Sequence, residues 1–355
     1  MAVTFGSAGA PSQVTTNLDA VFATSLANYK KTLQDNISES NALFYEMKKG
    51  NMWESADGGA YLAEDLMYEL GVADAYDGYD ELPDTPSDGI TQVIFDWRQG
   101  AVPISYSMKE KKLNKHRIVS LIDSKMKQSE MGFVDFFSKA ILQGSLMQGG
   151  ASIKTPYTST LNGAQFIEPL GSIIDYDPTV SRSVGNLNQS TFTWWRNRTK
   201  TSSATTFNGF LLEADNLYNT CARGPGGPPN LIWCDQKTYE VWRNAYYQAY
   251  RRTADTDNNY PFENFKFNRA TVTYDQYVCD VESGTTSTAT YGTAYFLNTN
   301  FLKMRYEAET NFEMTDFQKP PKGDSRLAHI LFMGQLTVNN RRKLGVWGKI
   351  PRSLS

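Results

Sequence analysis

Two histidines, three cysteines and a dense run of carboxylates are the residues of this chain whose types could carry chemistry. His116 sits in a basic run and His329 in a C-terminal apolar stretch. Neither lies near a nucleophile-elbow pattern that would pair a hydroxyl with a base. Gly149-Gly150-Ala151-Ser152-Ile153-Lys154 is glycine-rich and ends in lysine, as a phosphate-cradling loop does, but its second glycine falls in the wrong place before the lysine. Asp255-Thr256-Asp257-Asn258-Asn259 offers closely spaced oxygens to a calcium ion, yet lacks the turn glycine and closing glutamate of such a loop. Cys221, Cys234 and Cys279 show no metal-ligand spacing, so reduced thiols of a cytosolic fold are expected and the sequons at Asn36, Asn188 and Asn197 are chance matches. The sequence thus offers no catalytic residue, metal ligand or cofactor motif. A hydrolase or other enzyme remains a rival reading, to be revived if alanine at Asp255 and Asp257 abolished a turnover.

The carboxylates concentrate in residues 50–108, with Asp57, Glu64, Asp65, Glu69, Asp74, Asp77, Asp80, Glu81, Asp84, Asp88 and Asp96 against a single basic residue, Arg98. General acid–base work would need two of them facing one substrate, and among these turns nothing singles out a pair. The segment ends in strand-like alternation, Val93-Ile94-Phe95-Asp96-Trp97 and Val102-Pro103-Ile104-Ser105-Tyr106. A basic run follows, Lys109, Lys111, Lys112, Lys115 and Arg117. Such an acidic, hairpin-like arm cannot bury much of its own surface. It is expected to be completed by a neighbouring copy of the chain.

The elements that would position these groups form a mixed pattern. The 355 residues allow one large domain or two modest ones. A net charge of -3 lacks the basic excess of a general nucleic-acid binder. Aromatic content is 13% with 20 Tyr, which fits either a contact-rich extended protein or a Tyr-rich core. No charged leader with an apolar core opens the chain, and no apolar run approaches the roughly 20 residues that span a bilayer. A soluble protein made in a cytoplasm is expected. Leu18, Val21, Phe22, Leu26, Tyr29 and Leu33 give an amphipathic helix behind Asn17 as its cap. A short helix is expected over 62–70, turn chemistry over 74–89, and the longest helix over 114–144 with Gly132 as a possible break. Further helices are expected over 210–221 and 237–252, around a rigid Gly224-Pro225-Gly226-Gly227-Pro228-Pro229 turn and the strand Leu231-Ile232-Trp233-Cys234. Strands follow near 265–280, 294–297 and 327–338. Helices and strands mix without βαβ regularity, so the class is α+β. The cluster Arg341-Arg342-Lys343, with Lys349 and Arg352, reads either as a contact for acid or nucleic acid or as a solvated tail face.

In their order and character these segments resemble the major capsid proteins of tailed bacteriophages, the Hong Kong ninety-seven-type fold. The resemblance covers nearly all of the chain. The lead helix matches that family's N-terminal arm, residues 50–112 its extended loop, and the helix near 117–144 its spine helix. Thr193-Trp194-Trp195-Arg196-Asn197 looks like a junction before the axial domain. Tyr295-Phe296-Leu297-Asn298-Thr299 and the stretch from Gly334 to Arg342 look like its late strands. The resemblance implies an N-terminal arm over 1–49, an extended loop over 50–112, and a peripheral domain with the spine helix over 113–204. An axial domain over 205–290, with residues 253–259 toward a capsomer centre, and a return to the peripheral domain over 291–355 complete it.

It further implies an icosahedral shell of hexamers and pentamers around double-stranded DNA, located in the virion and assembled in the host bacterial cytoplasm. A portal and a separate scaffolding protein would be partners, a decoration protein is a further option, and no membrane or cofactor is implied. The shell would form as a precursor whose subunits rotate and flatten as DNA enters. Tyr76, Tyr79, Phe95 and Trp97 would anchor the arm on a neighbour, since aromatics dominate interface energetics. Asp80 and Asp84 would face basic receptors among Lys111, Lys112, Arg117, Arg341 and Arg342, which fix register more than affinity. An encapsulin-type nanocompartment and a tail-tube or connector protein are the rivals among assembling proteins. Some family members join a loop lysine to a neighbour's asparagine, assisted by a glutamate. Residues 51–108 contain no lysine. Assembled particles boiled in denaturant are therefore expected to run on a gel as single chains. A ladder of Lys–Asn-linked species through this loop would contradict the reading.

Overall fold

The computed structural model describes residues 47, 52–69, 75, 77–78, 88–113, 121–142, 166–250, 265–275, 277–278, 291–321 and 323–354. The expected lead helix, most of the 74–89 turn segment, the 149–154 loop, the 253–259 segment, His116 and Cys279 lie outside them. The elements in chain order are β1 (Trp53–Ala56), β2 (Leu62–Met67), β3 (Ile90–Phe95), β4 (Gln99–Ser107), α1 (Met108–Leu113), α2 (Leu121–Leu142), α3 (Leu170–Ile173), β5 (Ser183–Val184) and β6 (Leu187–Asn188). Then come β7 (Arg198–Thr201), α4 (Phe207–Ala222), β8 (Leu231–Cys234), α5 (Gln236–Tyr250), β9 (Phe265–Phe267), β10 (Ala270–Tyr274), β11 (Tyr291–Leu297), β12 (Leu302–Met314), β13 (Ser325–Val338) and β14 (Gly345–Pro351). The class is α+β, as the sequence predicts. Two compact units divide the chain, with boundaries inside α2 and β13. No helix among the described residues is long and apolar enough to cross a membrane.

The larger unit holds a six-stranded sheet in the order β7-β14-β11-β8-β10-β9. β8 lies inside it, parallel to β10 and antiparallel to β11, and its run Leu231-Ile232-Trp233-Cys234 is buried throughout. An uninterrupted apolar run is what a strand covered on both faces requires. α4 and α5 contribute Phe210, Leu217, Trp242 and Ala245 to the same core as Phe265, Phe267, Phe296 and Trp347. Trp242 stands edge-on to Trp347 at 5.5 Å and to Phe210 at 5.6 Å between ring centroids, a favoured aromatic geometry. Asp235 caps α5 by accepting from the Thr238 backbone N–H at 3.3 Å and from its hydroxyl, while Arg352 lies 3.5 Å from the same carboxylate. Thr206 caps α4 by accepting from Gly209 N at 3.2 Å. A second aromatic cluster in this unit joins Trp53, Phe137, Phe312 and Phe332, with Phe137 and Phe332 edge-on at 5.3 Å.

The smaller unit contains most of β4, α1, the first part of α2 and the start of β13. Ser107 and Glu110 close a reciprocal cap at the start of α1. The Ser107 hydroxyl accepts from Glu110 N at 3.1 Å and the Glu110 carboxylate accepts from Ser107 N at 3.0 Å. Lys125 of α2 then pairs with Glu110 at 3.0 Å.

The structure corrects two expectations of local structure. Residues 62–67 are a strand and not a helix. Five of the six residues in Leu62-Ala63-Glu64-Asp65-Leu66-Met67 are good helix formers, but its burial alternates strictly and the alternation decides. The strand that pairs with β3 is β2, antiparallel from Leu62 opposite Phe95 to Met67 opposite Ile90, whereas β4 belongs to the four-stranded sheet β1-β12-β13-β4. The long helix continues through Gly132 without a break.

Candidate functional site

The β2–β3 hairpin is the feature from which a site can be built, because the sequence assigns it no core of its own. Its root is nevertheless sealed by this chain. Alternation directs Leu62, Glu64 and Leu66 of β2 and Val93 and Phe95 of β3 inward, and all five are buried. Glu64 meets Arg305 of β12 in an ion pair, with Nη2 donating to Oε2 at 3.2 Å and Nε lying 2.7 Å from Oε1. The Thr337 hydroxyl of β13 donates to the same carboxylate at 3.0 Å. Burial pushes the Glu64 carboxyl above its ordinary range, while Arg305 and the Thr337 hydroxyl pull it back. On the other strand, Asn186 in the β5–β6 turn accepts from Ile94 N at 3.2 Å and donates to Gln92 O at 3.3 Å. Gly185 beside it has φ +64°, and a Cβ there would strike Val93. The Tyr68 ring stacks on Trp194 at 4.9 Å, and its hydroxyl donates to Asp88 O.

The opposite face of the hairpin is open. Met67 and Ile90 are cross-strand partners, 72% and 71% exposed, and Tyr61 on the approach is also exposed. Met67 and Ile90 thus form an exposed apolar pair on this face. Among the described residues, no group of three or more His, Cys, Asp and Glu could hold a metal ion.

The sequence-predicted contact residues separate into five groups. Tyr76, Tyr79, Asp80, Asp84 and Arg117 lie outside the described residues. Lys111 and Lys112 fall in α1, where Lys112 is exposed. Trp97 is half-buried and donates its indole N–H to Gly59 O at 2.9 Å. Phe95 and Arg341 must be corrected. Phe95 is 3% exposed inside the hairpin root and offers no face to a neighbour. Arg341 is 0% exposed. Its Nε donates to Ile173 O at 2.8 Å, Nη1 to Trp195 O at 3.0 Å, and Nη2 to Gln189 Oε1 and Asn197 Oδ1, each at 3.0 Å. Arg342, between two buried cations, is exposed and remains a candidate contact.

Lys343 itself fits neither expectation held for the basic cluster. It is 2% exposed, and its ammonium donates to Ala222 O, Arg223 O, Gly224 O and Gly227 O at 2.9–3.4 Å. A cation on the last carbonyls of α4 satisfies acceptors that the helix leaves open and complements its dipole. Gly224, Gly226 and Gly227 all take positive φ to turn those carbonyls inward. Glu64 and Arg305 were not singled out as a pair by sequence reasoning, because they lie 241 residues apart. Glu64 did carry a local signal, a carboxylate between two leucines at spacing two.

No family model and no curated protein matches this sequence. Solved structures do. The capsid of cyanophage A-1(L) aligns with a TM-score of 0.61 at 11% identity, over 90% of this chain and 95% of that one. The holo-SrpI encapsulin complex from Synechococcus elongatus PCC 7942 aligns at 0.57 and 9% identity, over 94% and 96%. The capsid of a native GTA particle aligns at 0.54 and 8% identity, over 90% and 93%. The chain has the Hong Kong ninety-seven-type capsid fold.

Breaking the Glu64–Arg305 pair is expected to release the hairpin root and leave the six-stranded core folded. For Glu64→Ala the expected cost is about 2–3 kcal/mol, below that of a fully buried pair because Arg305 keeps part of its side chain in water. Hydrogen exchange over residues 62–67 and 90–95 reads it. Unchanged protection of both strands would contradict the anchoring role.

Proposed function

We propose that this chain is the major capsid protein of a tailed bacteriophage, which self-assembles into the icosahedral head enclosing double-stranded DNA. The observation that carries the reading is the end-to-end alignment on the cyanophage A-1(L) capsid, with 90% of this chain and 95% of that one covered and no large part of either left over. A hairpin fastened at its root and apolar on its free face supports the same reading. Within it, Met67, Ile90 and Tyr61 join Trp97, Tyr76 and Tyr79 as contacts with a neighbouring copy, and Asp80 and Asp84 meet basic residues such as Lys112 and Arg342. Phe95 and Arg341 leave that set. Closed symmetric shells gain collective stability from many such modest contacts.

The five-part division expected from the sequence, from the arm over 1–49 to the return over 291–355, belongs to this proposal. So do a portal, a separate scaffolding protein, packaged DNA, the virion location and assembly in the host cytoplasm. The chain is proposed to be structural and not an enzyme. An encapsulin-type compartment is the second reading, favoured by the alignment on the encapsulin from Synechococcus elongatus over 94% of this chain.

Negative-stain electron microscopy of the purified full-length chain tests the proposal. Closed icosahedral shells are expected, and particles from the native source should contain double-stranded DNA. Packed protein cargo in place of DNA would move the assignment to the compartment. Open tubes, rings or stable monomers at high concentration would overturn both.

A further inference from the structure

Beyond the shell reading, one polar cluster has a role that neither core packing nor assembly uses. Asp275 follows β10 and is buried. Its N–H donates to Cys234 O at 3.1 Å, and its carboxylate accepts from Tyr277 N at 2.8 Å. The Tyr277 hydroxyl reaches α2 and donates to Asp135 Oδ1. Lys139, one turn along α2, pairs with Asp135 at 2.8 Å and stands 5.3 Å over the Tyr277 ring. The segment after β10 is thereby hooked to the C-terminal half of α2 by the Tyr277 phenol on Asp135 and Lys139, while the Asp275 carboxylate holds the Tyr277 backbone.

We propose that Asp275, Tyr277, Asp135 and Lys139 form a proton-controlled clip between α2 and the end of β10, closed while the Asp275 carboxyl is neutral and loosened when it ionises. The charges settle its direction. Burial is the main force raising the Asp275 carboxyl, to about 7. The Tyr277 N–H pulls it down, and the nearby Asp135 charge raises it further. The one cation that α2 brings to the cluster, Lys139, is already engaged by Asp135. From β8 the neighbouring groups are the Cys234 carbonyl and its thiol, which burial keeps neutral. The Asp235 carboxylate that follows lies 3.5 Å from Arg352. Ionised Asp275 therefore adds a second negative charge to a site with one engaged cation.

A carboxyl raised in the folded chain contributes stability that is fully present below its ordinary value of 3.8 and is lost as pH rises through about 7. The clip opens in that window, and its open state then levels off above it.

Hydrogen exchange of the full-length chain, corrected for the intrinsic rate at each pH, reads the clip in peptides covering 134–142 and 270–275. The opening constant in the wild type is expected to rise at least about tenfold between pH 5 and pH 8. Asp275→Asn keeps an oxygen for the Tyr277 N–H and cannot ionise, so protection should stay at the closed level across the range. Asp135→Asn removes the facing charge and should move the midpoint to lower pH. A pH-independent wild type, an unaltered slope in Asp275→Asn, or an unmoved midpoint in Asp135→Asn would each overturn the proposal. All readouts belong to one chain, so they stand apart from whether shells form.

Discussion

A fully buried guanidinium held by four oxygens is the constraint on which much of this structure depends. Arg341 is satisfied by four oxygens, two from backbone carbonyls and two from side-chain amides, and it lies 5.6 Å over the Trp195 ring. Burial lowers its pKa to about 9, partly offset by Asp175, so it is still charged at neutral pH. Gln189 and Asn197 pass that charge toward Asp175. The Gln189 amide donates to the Asp175 carboxylate at 2.8 Å, and Asn197 exchanges hydrogen bonds with the Asp175 backbone at 2.7 and 3.0 Å. Asp175 in turn pairs with Arg182 at 3.3 Å. A buried charge left without partners costs several kcal/mol, so these segments must meet or the node does not form.

Two residues on, Lys343 closes the end of α4, and β14 then enters the sheet between β7 and β11. One short turn near the C-terminus therefore fixes three places at once: the Trp194–Asn197 junction, the glycine-rich turn after α4, and the strand that follows. Buried charges within one copy make it rigid. The hairpin repeats the pattern, with Glu64 held by Arg305 at its root and an apolar pair left standing in water on the other face. On the proposed reading this is a sensible allocation, because a rigid root holds the contact face at a fixed angle for a neighbouring subunit.

The sequence made the architecture legible wherever a pattern is local. The buried run of β8, the helices α4 and α5, and the glycine–proline turn between α4 and β8 stand within about three residues of their expected places, and the described α2, Leu121–Leu142, falls inside its expected span of 114–144. β2 was hidden by its composition, since five helix-favouring residues of six mask an alternation that burial reveals. β12 and β14 went unread because half-polar and glycine-containing strands give no strong periodic signal. The basic cluster misled for a related reason. Arg341 and Lys343 look like a surface patch because arginine and lysine are almost never fully buried unless paired, and their partners are carbonyl oxygens that no sequence displays. The paired carboxylate and guanidinium at the hairpin root are likewise joined only by the fold.

The most direct test of this account is the unfolding free energy of Arg341→Met, which preserves bulk and removes the charge and its four donors. Ile173 O, Trp195 O and Gln189 Oε1 then lose the guanidinium, while Asn197 Oδ1 keeps the Asp175 N–H, and the expected loss is about 3–5 kcal/mol in equilibrium denaturation of the full-length chain. A variant within about 0.5 kcal/mol of the wild type would contradict the claim that this buried cation holds the chain together.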